Sequence, residues 1–129
     1  MVNIDKHISY WRKGAEEDFE VAKQLVDSGK IRHGLFFLHL SLEKIIKAHT
    51  CRNTSDIAPK LHNLSVLAEM SGIAFQQEQL DFLAEMNPYN IEGRYPDTWG
   101  PLPSRTEANL LVEKSGEMLL WMMNQLKLL

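Results

Sequence analysis

Apolar residues recur along this chain in steps of three and four. Ile4, Ile8, Trp11, Ala15, Phe19, Ala22 and Val26 form one such series. That spacing puts them on a single stripe of an α-helix about six turns long. Ser28-Gly29 closes the helix, because glycine just past the last periodic residue is a common stop. A second series follows at Ile31, Leu35, Leu38, Leu42 and Ile45, with His49 on the same face. This helix also carries Phe36 and Leu40 on the side shared by Glu43, Lys44 and Lys47. A helix apolar on nearly all sides is expected at the centre of a bundle or in an oligomer seam.

Residues 53–59 read as a loop, since Pro59 and the polar cluster before it interrupt the helical pattern. A short third helix fits 62–70, ended by Ser71-Gly72, with His62 placed to cap or buttress its start. A fourth fits 76–86, with Leu80, Leu83 and Met86 inward. Residues 87–103 hold three prolines after Pro88 and two glycines, and form the one long irregular stretch, a length often tied to function. Ser104-Arg105-Thr106-Glu107 has the capping-box pattern, and a last helix follows through Leu111, Ser115, Met118 and Met122. No segment alternates with period two. The expected fold is all-α, an up-and-down bundle of four to five antiparallel helices forming one domain over 1–129.

Composition narrows the function classes. The 129 residues carry 14 Lys+Arg against 17 Asp+Glu, a formal net charge of −3. That gives no basic footprint for duplex DNA. The single cysteine, Cys51, has no partner for an internal disulfide or a multi-thiolate zinc site, so a cytoplasmic setting is expected. The first residues lack an apolar stretch after a basic start, so no leader is expected. Apolar runs such as Met118 to Met123 fall far short of the roughly 20 residues needed to cross a bilayer. His33, His39, His49 and His62 include no pair at i, i+4 with an acidic helper, and neither a metal centre nor another cofactor is expected.

Four short patterns occur in order: Ala15-x-x-Asp18-Phe19-x-x-Ala22, then Glu43-Lys44-Ile45-Ile46-Lys47-Ala48, then His62-Asn63-Leu64-x-x-Leu67, then Arg94-Tyr95-Pro96-Asp97. Together they resemble HEPN domains (higher eukaryotes and prokaryotes nucleotide-binding), over about residues 8–125. The resemblance implies a helical bundle that commonly forms a homodimer and binds a nucleotide or RNA. In prokaryotes such domains are often paired with a small nucleotidyltransferase, in arrangements several of which behave as toxin–antitoxin systems. Some members are metal-independent ribonucleases. Those resemble one another in an Arg followed after four to six residues by a His, in the C-terminal half of the bundle.

Here only Arg32 and His39 fit that spacing, and they lie at the start of the second helix. Arg94 and Arg105, in the expected half, have no His after them. The expected role is therefore that of a non-catalytic accessory, with a ribonuclease using Arg32 and His39 as one alternative and a dimeric scaffold without a nucleotide site as another. Candidate ligand-binding residues are Arg94, Tyr95, Lys44, Lys47, Asp18 and Glu43. A guanidinium grips phosphate through parallel donors, and a tyrosine ring offers a base a stacking face. Other readings stay open for each. Glu43, Lys44 and Lys47 are neighbours on one helical surface and fit a solvated face with a weak ion pair. Asp18, within the apolar stripe of the first helix, needs a cationic partner, for which Lys44, Lys47 and Arg94 are candidates. Arg94 itself could pair with Asp18 or Glu43.

Overall fold

The structure, a computed structural model, describes residues 3–90 and 100–127. Those residues form five helices and no strand: α1 (Ile4–Asp27), α2 (Ile31–Thr54), α3 (Leu64–Met70), α4 (Gln77–Met86) and α5 (Arg105–Lys127). Residues 88–90 are again helical. The all-helical bundle expected from the periodicity is what forms.

Local chemistry sets the helix ends. Asn3 caps α1, its side chain accepting from the Lys6 N–H at 3.2 Å. At the other end the Ser28 hydroxyl donates to the Gln24 and Leu25 carbonyls, and Gly29 takes φ +84°, a value glycine adopts without a Cβ penalty. The Ser104 hydroxyl accepts from Glu107 N–H at 3.1 Å, and Ser104 N–H donates to the Glu107 carboxylate at 3.3 Å, so the expected capping box opens α5. Asn63 caps α3, accepting from Ser65 and Val66 N–H, and Asn87 accepts from Leu64 N–H at 2.7 Å. His62 takes no part in that cap; its Nδ1 lies 3.1 Å from Glu43 Oε1, so it buttresses the start of α3 against α2. Helix α2 runs on through Thr54, past the expected loop start. The Thr50 and Thr54 hydroxyls donate back to the carbonyls of Ile46 and Thr50, and Pro59 lies too far downstream to interfere.

Helices α1 and α2 form an antiparallel hairpin. Gly34 lies against Ala22 and Val26 near the turn, Ser41 donates to the Ala15 carbonyl at 2.7 Å, and Lys47 lies over Trp11 at the far end. Ala15 and Ala22 are fully buried, small residues that let the two backbones approach. A Cβ on Gly34 would stand 2.6 Å from Val26 Cγ2. Helix α5 runs parallel to α2 and antiparallel to α1: Arg105 donates to the Val26 and Asp27 carbonyls, Gly116 lies on Phe19, and His49 meets Met122. The short α3 packs against α2, and α4 against α3. Helix α2 is the central element, with Leu35, Leu38, Leu42, Ile45 and Ile46 all fully buried. Phe36, Phe37 and Leu40 are half-buried within the chain.

Three helix C-termini converge beyond His49. His49 Nε2 donates to the Met122 carbonyl at 2.8 Å, Arg52 Nη1 to Gln125 and Leu126 at 3.4 and 3.2 Å, and Asn53 Nδ2 to Met70 at 3.1 Å. Carbonyls freed at helix ends need such donors. Burial, the largest influence, holds the His49 imidazole below its ordinary pKa; the Met122 carbonyl works against this, and the Arg52 charge adds to it.

Candidate functional site

The α1–α2 seam carries a continuous polar cluster. Asp18 on α1 and Lys44 on α2 are joined, Oδ2 to Nζ, at 2.7 Å. The Lys44 stem lies against Gly14, where a Cβ would stand 3.0 Å from Cδ. One turn further along α2, Lys47 Nζ donates to Glu43 Oε2 at 3.0 Å and sits 5.1 Å from the centre of the Trp11 ring. The other Glu43 oxygen lies 3.1 Å from His62 Nδ1 and 3.8 Å from His39 Nδ1. An ionised carboxylate only accepts, so the His62 bond places the proton on Nδ1.

The cluster brings together Asp18, Glu43, Lys44 and Lys47. The remaining two ligand candidates, Arg94 and Tyr95, lie outside the described residues, as do Pro96 and Asp97. Of the described partners proposed for Asp18, Lys44 and Lys47, Lys44 is the one at ion-pair distance. The expectation of a solvated face for Glu43 and Lys47 needs correction: their side chains are 4% and 6% exposed. Trp11 and His62, contributed by α1 and the segment before α3, stand at that pair. In a buried Glu–Lys pair a stronger attraction works against the cost of desolvating both ions, whereas an exposed i, i+4 pair has little of either.

His62 and Trp11 therefore join the site, and neither was singled out from sequence as part of it. His62 falls in the third quoted pattern, and that pattern was the available signal. Among the described residues, the cluster's two carboxylates and two ammonium groups cancel in formal charge. The cluster is internally balanced, with the Lys44–Asp18 pair its more open part, 24% and 13% exposed.

Arg32 and His39 lie seven residues apart on α2, two turns along one face. Arg32 donates to the Gly100 carbonyl at 3.3 Å. The His39 ring is fully buried beside Glu43. Burial pushes the Cys51 thiol above its ordinary pKa, which keeps it protonated and unreactive. Among the described residues no group of three or more His, Cys, Asp or Glu could hold a metal ion. No described helix is long and apolar enough to cross a membrane.

No curated protein matches the sequence. Among solved structures, the protein TT1696 from Thermus thermophilus has a similar fold, with a TM-score of 0.77 at 16% identity, covering 91% of this chain and 96% of that one. At that identity the likeness speaks for the fold alone. The family model for the HEPN domain matches residues 8–126, which takes in all four patterns and the whole seam cluster. On that match, this chain belongs to the HEPN domain family.

Proposed function

We propose that the chain is a nucleotide- or RNA-binding HEPN module that works as a homodimer and as a non-catalytic accessory of a small nucleotidyltransferase, in a toxin–antitoxin type of pair. The observation that carries the binding role is the clustering of Asp18, Glu43, Lys44 and Lys47 beside the Trp11 ring. Arg94 and Tyr95 complete the proposed ligand set, the first for phosphate and the second for a base. The burial of His39 supports the non-catalytic reading, because a general acid or base must reach the proton it moves.

Calorimetry with nucleotides and short single-stranded RNA tests this. Losing a charge-assisted phosphate contact costs roughly 1.5–3 kcal/mol, about ten- to a hundred-fold in affinity. Arg94→Ala should weaken binding by that much, and Arg12→Ala, whose side chain pairs with Glu16 on the surface, should not. Equal affinity for wild type and Arg94→Ala would remove Arg94 from the site. Co-purification with mass analysis tests the nucleotidyltransferase partnership, and light scattering tests the dimer. RNA cutting that His39→Ala abolishes without unfolding the protein would overturn the non-catalytic assignment.

A further inference from the structure

Away from the α1–α2 seam, α4 and α5 leave a groove of about 500 Å³ between them. Its floor is apolar, formed by Phe82 and Met118, each 7% exposed. Its rim is acidic. Glu78, Asp81 and Glu85 line it from α4, and Glu117 faces them from α5. Among the described residues, no lysine or arginine forms an ion pair with these carboxylates, whereas Asp18, Glu16, Glu20 and Glu43 each have a cationic partner. Among the described residues lining the groove, the one cation is Lys114, whose Nζ lies 5.9 Å from the centre of the Phe82 ring. Four carboxylates against one ammonium leave a local formal charge of −3, as large as that of the whole chain.

We infer that this groove docks a basic helical segment of a protein partner, one that lays an apolar side chain on Phe82 and Met118 and sets lysines or arginines against the four carboxylates. Three features select that occupant. The carboxylates of α4 fall at i, i+3 and i+7, along one side of a helix about 15 Å long. A guest helix with cations at matching intervals meets all three at once. The floor already takes a cation against an aromatic face, though Lys114 stands at the outer limit of that interaction and is readily displaced. The sign of the field excludes phosphate-bearing ligands, so this surface is distinct from the proposed nucleotide site and stands or falls separately from it.

The test uses a synthetic helical peptide with arginines at i, i+3 and i+7 beside one leucine, and a second peptide with glutamates in place of the arginines. Fluorescence anisotropy against the full chain should show binding of the first alone, weakening as salt rises. Glu85→Lys combined with Glu117→Lys should lower the affinity at least tenfold. Glu69→Lys, an equal kind of charge reversal at an exposed position of α3, should leave it within about twofold. Circular dichroism confirms that each variant is folded. Equal loss in Glu69→Lys, binding of the acidic peptide, no binding of the basic one at low salt, or equally tight binding of free spermine would each overturn the proposal.

Discussion

Lys47→Met removes the ammonium from the α1–α2 seam and leaves an unbranched chain of similar length beside Trp11. In the native protein Lys47 Nζ lies 3.0 Å from Glu43 Oε2, both side chains almost wholly buried. At an effective dielectric near 20, the attraction at that distance is about 5–6 kcal/mol, much of it offset by desolvating both ions. The variant keeps the desolvation cost of Glu43 and loses the attraction. Removing one member of a buried pair costs roughly 3–5 kcal/mol. For a chain of this size each kcal/mol moves Tm by roughly 3–5 °C, so a fall of about 10–20 °C is expected. Glu43→Leu with Lys47→Met removes both charges together and should recover most of the loss. Urea unfolding followed by circular dichroism measures both. A single variant within about 1 kcal/mol of wild type, or a double variant no better than the single, would refute the structural role given to this pair.

Gly34→Ala should destabilise by roughly 1–3 kcal/mol in the same assay, because its Cβ would meet Val26 Cγ2 at 2.6 Å and the Val26 and Ala22 backbone at 3.1 and 3.2 Å. Asn87→Ala should cost about 1–2 kcal/mol by leaving the Leu64 N–H at the start of α3 without its acceptor. His49 has a folded pKa below its unfolded value, so the unfolded chain takes up that proton first as pH falls. Its contribution is intact above about pH 6.5 and is lost progressively as pH drops through the folded pKa. His49→Gln should therefore flatten the decline of Tm between about pH 7 and pH 5 relative to wild type, and parallel profiles would contradict this.

Much of the fold is legible in the sequence because it depends on neighbours along the chain. The stripe from Ile4 to Val26, the Gly29 stop and the Ser104–Glu107 box are all local devices, and each appears in the structure. The surplus of apolar residues on α2 marks it as central, which it is. The end of α2 was less legible: polar residues at 53–55 look like a loop, yet Arg52 and Asn53 donate to carbonyls at the ends of α5 and α3, tertiary contacts that engage the last turn and that no local pattern encodes. The site divides the same way. Asp18 advertises its need for a cation by standing in an apolar stripe, and Lys44 answers it. Trp11 and His62, residues remote in sequence, stand over Lys47 and Glu43, and no periodicity on α2 encodes that cover.

That cover separates the two lysines chemically. The Lys44–Asp18 pair is the more open of the two, so its ammonium is the one an incoming phosphate can reach, although losing it leaves the buried Asp18 Oδ2 without a cation and offsets part of the binding. The Lys47–Glu43 pair offers no such exchange: drawing Lys47 toward a ligand would strand a buried carboxylate. In the proposed binding role Lys44 is then the seam cation that can meet a ligand, while Lys47 and His62 hold Glu43 in place. Lys44→Ala should weaken nucleotide binding and cost less stability than Lys47→Met, which should leave binding nearly unchanged until the protein begins to unfold. If calorimetry and denaturation instead rank the two lysines the other way round, the ligand reaches the buried pair and the division of labour drawn from their burial is wrong.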